Sequence, residues 1–269
     1  MKHGYIKVAA ATPQIRVADC AYNAQAIIAD INRAETLKVK VLVFPELSIT
    51  GYTAGDLFYQ EALQNAALVA LKEIQKATEK KKMLVFVGLP LLFKGRIFNT
   101  AAALCDGKIL GIVPKTYLPN YNEFYEKRHF AGAGCETLTI SVNGEECAFG
   151  TDLLFAASDN PKLLVAAEIC EDLWVTSPPS VRHCEAGATI IVNLSASNEL
   201  VGKASYRKRL VEGQSARLVC GYVYASAGSG ESSTDLVFGG HNIVAENGTI
   251  LAQTSLFENG LAVSEIDLA

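Results

Sequence analysis

The stretch VKVLVFPELSITGY, residues 39–52, carries the clearest signal for the fold of this chain. Its first six residues are apolar except for Lys40, and so short an apolar run is typical of a central strand buried on both faces. Helical patterns flank it on either side. One follows Asp19, a residue suited to capping a helix N-terminus, and the other covers about residues 60–80. A strand between two such helices predicts a mixed α/β protein whose sheets are covered by helices.

The rest of the chain continues this alternation outward from residues 39–52. A helical pattern covers residues 204–219, and short apolar runs typical of strands lie at residues 5–11, 83–89, 163–169, 189–194 and 221–226. Three dipeptides between strand-like runs predict tight hairpins, because both turn positions need a positive φ: Asp106-Gly107, Asn143-Gly144 and Asn247-Gly248. No repeat, low-complexity segment or linker-like change in composition interrupts the pattern. We therefore expect one domain over residues 1–269.

Composition and charge exclude several classes of protein. The chain has 269 residues, 50% of them hydrophobic and 19% charged, with a formal net charge of −4, which indicates no general affinity for nucleic acid or anionic membranes. No apolar run approaches the roughly 18 residues of a bilayer-spanning helix. The N-terminal MKHGYIKVAAATPQ has a lysine inside its apolar run and no cleavage-like tail, unlike a signal peptide. We expect a cytoplasmic protein.

The cysteines give no sign of a metal site or a disulfide framework. Their number is odd, their spacings are wide and they form no CxxC pair, a pattern that fits a reducing compartment. Each alone is most often a small buried hydrophobe. The seven are Cys20, Cys105, Cys135, Cys147, Cys170, Cys184 and Cys220.

Three reactive side chains each follow an apolar, strand-like run: Glu46, Lys115 and Cys170. Partial desolvation at the end of a strand would make Glu46 a stronger proton acceptor, although a lone glutamate there is more often a turn residue in solvent. Lys115 could offer a fixed positive charge to a developing oxyanion, or could simply be a surface lysine.

Cys170, in EICEDLW, stands where a strand would pass into a turn. Backbone N–H groups of the following residues could then point at the thiol, as in an activated nucleophile with an oxyanion hole. The alternatives are a packed core thiol or a metal ligand, and no Cys/His cluster has ligand spacing. None of the four histidines lies in a motif that would pair with a catalytic cysteine: His3, His129, His183 and His241. We expect no catalytic role for His129 or His183.

Glu46, Lys115 and Cys170, in that chain order, resemble the catalytic set of the nitrilase, or carbon–nitrogen hydrolase, superfamily. Longer segments are similar to the N-terminal glutaminase domains of glutamine-dependent NAD⁺ synthetases, over essentially the whole chain. They are VFPELSITGYTAGDLF, KTYLPNYNEFYEKRHF, EICEDLWVTSPPS, NLSASNELVGKASYR and GSGESSTDLVFGGHNIVAENGTILAQT. The resemblance implies a four-layer αββα sandwich.

The same resemblance implies hydrolysis of the glutamine side-chain amide through a covalent thioester. Glu46 would take the thiol proton, Cys170 would attack the amide, and Lys115 with the backbone N–H of Glu171 would stabilise the oxyanion. Glu123, eight positions after Lys115, matches the second glutamate with which many family members orient the lysine and substrate.

For substrate binding, the family pattern implies contacts between glutamine and Tyr121, Ser197 and Lys203. Lys203 would pair with the α-carboxylate as a point charge. Glu171 and Trp174 are expected to line the same pocket.

The resemblance also implies what this domain would need and what it would serve. No metal or other cofactor is expected for the glutaminase step. ATP, magnesium and deamido-NAD belong to a separate synthetase domain, joined in cis in the full-length enzyme, whose SGGxDS-like loop does not occur in these 269 residues. The chain is thus expected to be an isolated amidotransferase portion or a truncated chain, and a homo-oligomer.

Two other hypotheses remain open at this stage. The chain could be a free-standing amidase of the same superfamily acting on another small amide, although the TSPPS and TGYTAGDLF segments favour the synthetase type. It could also be a non-catalytic scaffold within a larger assembly, although the presence of Glu46, Lys115 and Cys170 together favours an enzyme.

Overall fold

A computed structural model describes residues 4–134 and 136–268, so His3 and Cys135 lie outside the described residues. In chain order the strands are β1 (Tyr5–Thr12), β2 (Val41–Val43), β3 (Leu84–Phe93), β4 (Arg96–Cys105), β5 (Lys108–Pro114), β6 (Leu138–Val142), β7 (Glu145–Phe149), β8 (Phe155–Ala157), β9 (Asn160–Ile169), β10 (Ile190–Ser195), β11 (Gly221–Ser226), β12 (Ile243–Glu246), β13 (Thr249–Gln253) and β14 (Gly260–Asp267). The helices are α1 (Cys20–Thr36), α2 (Glu61–Ala77), α3 (Glu126–His129), α4 (Pro179–Glu185) and α5 (Lys203–Leu218), with 3₁₀ segments at Tyr52–Tyr59 and Cys170–Leu173.

The strands form two sheets, each with three adjacent parallel strands. The larger sheet has the order β14-β1-β2-β3-β4-β5-β7-β6, with β1, β2 and β3 parallel. The smaller has the order β13-β12-β11-β10-β9-β8, with β9, β10 and β11 parallel. Because the carboxyl ends of parallel strands lie at one edge of a sheet, residues that follow them gather there.

Alternate side chains of β2 show how the layers are stacked. Val41 and Val43 pack between the two sheets with Val192 of β10, whereas Leu42 and Phe44 face the helix layer of α1 and α2. On the far face of the smaller sheet, Ile191 packs with Val211 of α5. The order of layers is therefore helix, sheet, sheet, helix, and the predicted αββα sandwich is confirmed.

Local sequence signals account for many of the element boundaries. The Asp19 carboxylate accepts a hydrogen bond from Tyr22 N–H at 3.1 Å and caps α1 as predicted. Positive φ values occur at both positions of the three predicted hairpin turns. A fourth turn, Lys94-Gly95 between β3 and β4, was not predicted and also has positive φ at both residues. None of the helices described is long and apolar enough to cross a membrane.

Candidate active site

Glu46, Lys115 and Cys170 follow β2, β5 and β9 respectively, and all three are buried. The N–H of Glu46 donates to the carbonyl of Ser195 at the end of β10, at 3.3 Å, which ties the edges of the two sheets together. The N–H of Lys115 donates to the carbonyl of Asn99 on β4 at 2.8 Å. Backbone hydrogen bonds thus fix the points from which the side chains project.

The Lys115 ammonium lies between two buried carboxylates. Its Nζ is 2.7 Å from Glu46 Oε1, and 2.7 and 2.9 Å from the two oxygens of Glu126. Asn99 Nδ2 also donates to Glu46 Oε1, at 2.6 Å, and the N–H of Ala196 donates to Glu46 Oε2 at 2.9 Å. Both Glu46 oxygens are therefore held by donors, and the carboxylate has a fixed orientation.

Burial and mutual attraction act in opposite directions on this cluster. Burial lowers the pKa of Lys115, but Glu126 and Glu46 outweigh it, and the pKa rises well above its usual value. Lys115 is therefore a permanent cation. For Glu126, burial raises the pKa to about 7 despite the lysine, with the Glu46 charge adding to the rise. The second carboxyl group is thus a proton-binding site in the neutral pH range.

Cys170 combines an unusual backbone conformation with a neutral thiol. Its φ is 43°, in the left-handed region, at the junction between β9 and the following 3₁₀ turn. Burial raises the pKa of the thiol well above its ordinary value, and Glu46 adds to the rise while Lys115 opposes it. The resting group is therefore a thiol, so its use as a nucleophile requires a base.

A cavity of about 560 Å³ opens on Cys170. It brings together every substrate-binding residue predicted from the sequence: Tyr121, Glu171, Trp174, Ser197 and Lys203. Apolar Pro119, Phe124, Leu200 and Val201 complete much of its wall.

The polar groups of the cavity have defined partners. The Tyr121 hydroxyl donates to the Glu171 carboxylate at 2.9 Å from Oε2. Lys203 Nζ donates to Asn198 Oδ1 and stands 5.3 Å from the centroid of the Trp174 ring, within cation–π range. The cavity therefore presents an anchored carboxylate and a confined ammonium group.

The structure corrects the predicted partner of the lysine. Glu126, not Glu123, contacts Lys115, whereas Glu123 accepts a hydrogen bond from Asn198 Nδ2 and lines the cavity. The two glutamates are three residues apart, and Glu126 opens α3, whose position beside the lysine turns that carboxylate inward. Spacing along the chain alone could not choose between them.

Several polar residues of the site were not predicted. The buried Asp172 accepts hydrogen bonds from the N–H groups of Ile169 and Tyr117, at 2.9 and 2.8 Å, and so joins the cysteine loop to the lysine loop. Burial raises its pKa to about 7. The Tyr52 hydroxyl donates to Glu126 at 2.9 Å. Asp172 stands in the quoted EICEDLW motif, which was the one available signal.

The described histidines have partners elsewhere. His129 hydrogen bonds Asp56, His183 hydrogen bonds the carbonyl of Thr151, and His241 faces the buried Arg207. Within residues 4–134 and 136–268, no three His, Cys, Asp or Glu side chains are arranged to hold a metal ion.

An αββα sandwich with a buried cysteine, glutamate and lysine at the edge of its sheets defines the class of nitrilase-like α/β enzymes. The particular family follows from sequence comparison. The family model for carbon–nitrogen hydrolases matches residues 7–269, and the chain belongs to that family.

Its relatives include longer proteins. It is 42% identical over 267 residues to the glutamine-dependent NAD(+) synthetase of Mycobacterium tuberculosis, covering 99% of this chain and 39% of that protein. A crystal structure of a glutamine-dependent NAD(+) synthetase from Cytophaga hutchinsonii superposes with a TM-score of 0.87 at 30% identity, over 97% of this chain and 43% of the other. An amidase from Nesterenkonia sp. shares the fold, with a TM-score of 0.76 at 20% identity, over 99% of this chain and 92% of the amidase.

Proposed function

We propose that this chain hydrolyses the side-chain amide of L-glutamine and releases ammonia through a thioester on Cys170. The observation that carries the proposal is the buried Lys115, held by Glu46 and Glu126 beside a thiol that opens into the cavity. The relatives are more than twice as long as this chain. Their name, glutamine-dependent NAD(+) synthetase, supports glutamine as the substrate whose amide is hydrolysed.

The charges of the cavity suit a free amino acid. Glu171, oriented by Tyr121, would pair with the α-ammonium group, and Lys203 with the α-carboxylate. Burial lowers the pKa of Lys203, so a bound carboxylate would restore its preference for the charged form. Ser197 supplies a hydroxyl to the same wall, and Trp174 an apolar face.

The first half-reaction would form the thioester. Glu46 takes the proton of Cys170, and the sulfur attacks the amide carbon to give a tetrahedral oxyanion. In the resting site Lys115 Nζ donates to one oxygen of Glu46 and to both oxygens of Glu126, and the bond to Glu126 Oε2, at 2.9 Å, is the longest of the three. This bond would give way to the oxyanion, which Lys115 would then stabilise beside the N–H of Glu171. Glu46 then returns the proton to the departing nitrogen, the carbon–nitrogen bond breaks and ammonia leaves.

The second half-reaction would regenerate the enzyme. Water occupies the place of ammonia, Glu46 removes a proton from it, and the hydroxide adds to the thioester carbon. The carbon–sulfur bond breaks, glutamate departs and Cys170 regains its proton from Glu46. Because the carboxylate is held at both oxygens by Asn99, Lys115 and Ala196, it can accept and donate protons without reorienting.

We further propose that the ammonia serves a synthetase domain joined in cis in the full-length enzyme, within a homo-oligomer. The chain covers 39% of its M. tuberculosis relative, which leaves room for such a domain. ATP, magnesium and deamido-NAD would be used there and not in the glutaminase step.

Trapping the nucleophile tests this function directly. The purified protein would be incubated with a glutamine analogue that carries a diazoketone in place of the amide. Peptide mass spectrometry should find the adduct on Cys170, and excess glutamine should suppress it. Cys170→Ala should lose both the adduct and ammonia release, whereas Cys105→Ala, on the half-buried end of β4, should keep both.

The competing amidase function would give a different pattern. If small aliphatic or carbamoyl amides were hydrolysed much faster than glutamine, and glutamine did not protect Cys170, the assignment of glutamine would be wrong while that of the nucleophile stood.

A further inference from the structure

A series of buried polar side chains lies behind Cys170, on the face of the smaller sheet that points away from the larger sheet. Glu168 of β9, Asn193 of β10 and Tyr222 of β11 project from the same face, and Glu168 and Asn193 are direct neighbours across the two strands. All three are at most 1% exposed. Polar side chains buried so completely need hydrogen-bond partners, and those partners determine their orientation.

A series of three hydrogen bonds leads from Cys170 through these side chains to Glu168. The N–H of Cys170 donates to Asn193 Oδ1 at 3.2 Å, Asn193 Nδ2 donates to the Tyr222 hydroxyl at 3.1 Å, and that hydroxyl donates to Glu168 Oε1. The other Glu168 oxygen accepts from the N–H of Ser180 at 2.9 Å. The series therefore starts at the cysteine and ends on a carboxylate.

Donors at one end and an acceptor at the other fix which way the amide of Asn193 points, because its Oδ1 accepts from the N–H of Cys170 and from the Ser195 hydroxyl, the latter at 2.7 Å, and its Nδ2 donates to Tyr222. The Tyr222 hydroxyl donates its proton to Glu168 Oε1 and so cannot also donate it to Asn193. The Tyr222 oxygen is then an acceptor for Asn193, which turns the NH₂ end of that amide toward Tyr222 and the oxygen toward Cys170. With the opposite orientation, two N–H donors would face each other at the cysteine.

We propose that Glu168 and Tyr222 are positioning residues that, through Asn193, hold Cys170 in its left-handed conformation with the thiol toward the cavity. A non-glycine residue at φ 43° is in a sparsely populated region and needs support from its surroundings. The hydrogen bond to its N–H gives that support. The inference rests on the proposed role of Cys170 as nucleophile, and it adds residues that lie outside the cavity wall.

Glu168→Gln is the sharpest test, because it preserves shape while reversing one hydrogen bond. Its oxygen must stay on the N–H of Ser180, so its NH₂ group would face Tyr222. The Tyr222 hydroxyl then lacks an acceptor unless Asn193 turns its oxygen away from Cys170. Tyr222→Phe breaks the series at the next link, and Tyr5→Phe, at an exposed tyrosine of β1, is the matched control.

Two measurements would be made on variants shown to be folded by circular dichroism. The rate of Cys170 alkylation by iodoacetamide, followed by peptide mass spectrometry, should fall about tenfold in Glu168→Gln and Tyr222→Phe, as for a misplaced reactive group. For glutamine, kcat should fall about as much while KM changes less than about twofold, since the cavity wall is intact. The double variant should lose no more than the worse single variant, because either change breaks the same series.

The result that would overturn the proposal is an alkylation rate in both single variants within about twofold of the wild type. Additive losses in the double variant would also overturn it, since they would indicate independent effects. Alkylation needs no glutamine, so an enzyme inactive on glutamine would disprove the proposed function and leave this test intact.

Discussion

The carboxyl group of Glu126, which can bind a proton, lies against Lys115, the cation on which the proposed chemistry depends. When Glu126 is ionised, two carboxylates attract Lys115 from different sides. Protonation of Glu126 removes one of these attractions, which draws Lys115 toward Glu46 and away from the oxyanion that it is proposed to stabilise. Since burial raises the pKa of Glu126 to about 7, we expect kcat/KM for glutamine to fall as the pH decreases through that value.

Glu126→Gln should abolish this dependence. Glutamine resembles the protonated acid, so the variant should show a flat profile near neutral pH at a rate about 10–100-fold below that of the wild type at pH 8. Steady-state rates from pH 5.5 to 8.5 would be compared with those of Glu123→Gln, which should retain the inflection. An unchanged inflection in Glu126→Gln would assign the ionisation to another group.

Lys203 should affect binding more than chemistry. Its ammonium group is confined by Asn198 and the Trp174 ring, so it can meet a substrate carboxylate with little rearrangement. Lys203→Met keeps most of the apolar stem and removes the charge, and we expect KM for glutamine to rise about tenfold or more with a smaller change in kcat. Lys72→Met, on the exposed side of α2, should leave both constants unchanged. A lower kcat at unchanged KM would contradict the binding role.

At the scale of elements, β3 passes so close to the turn that carries Glu46 that position 88 has no room for a side chain. A Cβ on Gly88 would lie 2.2 Å from the nitrogen of Leu47 and 2.7 Å from the carbonyl oxygen of Pro45. Gly88→Ala should therefore displace the turn, lowering activity about a hundredfold and the free energy of unfolding by about 1–3 kcal/mol.

Gly213→Ala is the opposite case in the same chain. Gly213 lies inside α5, and a Cβ there would meet nothing within 4 Å. That variant should keep its activity and gain about 0.5–1 kcal/mol of stability in urea unfolding. If Gly88→Ala were as active as this Gly213→Ala control, the prediction for Gly88 would be wrong, and Glu46 would tolerate movement of the turn that carries it.

The elements that sequence predicts well are those with a local physical cause. Asp19 caps α1 with its own carboxylate, and Asn143-Gly144 adopts the positive φ values that a two-residue hairpin needs. The choice of Glu126 over Glu123 has no such cause, because it depends on where α3 packs against Lys115. Nor could the sequence place Asn193 behind Cys170, since that contact is made by strands brought together only in the folded sheet.

Across the whole molecule, folding buries carboxyl groups that bind protons more tightly than in the unfolded chain. Burial raises the pKa of six of them within the described residues: Asp30, Glu126, Glu171, Asp172, Glu231 and Glu246. Two groups have a lowered pKa instead. Burial lowers the pKa of His241. The hydrogen bond with Arg128 lowers the pKa of Asp56, which affects stability only at more acidic pH.

The native protein should therefore hold more protons than the unfolded chain between about pH 4 and 7, and its stability should decrease as the pH rises through that range. The sign follows because a raised carboxyl pKa penalises the ionised native form. This penalty is absent at low pH, grows as the pH rises through the raised pKa values, and for Glu126 and Asp172 is complete only above about pH 8. Urea unfolding should give a larger free energy at pH 5 than at pH 7.5, and Glu126→Gln should reduce the difference by removing one of the groups. A free energy of unfolding that rises from pH 5 to 7.5 would mean that these buried carboxylates are stabilised by their partners more than burial penalises them.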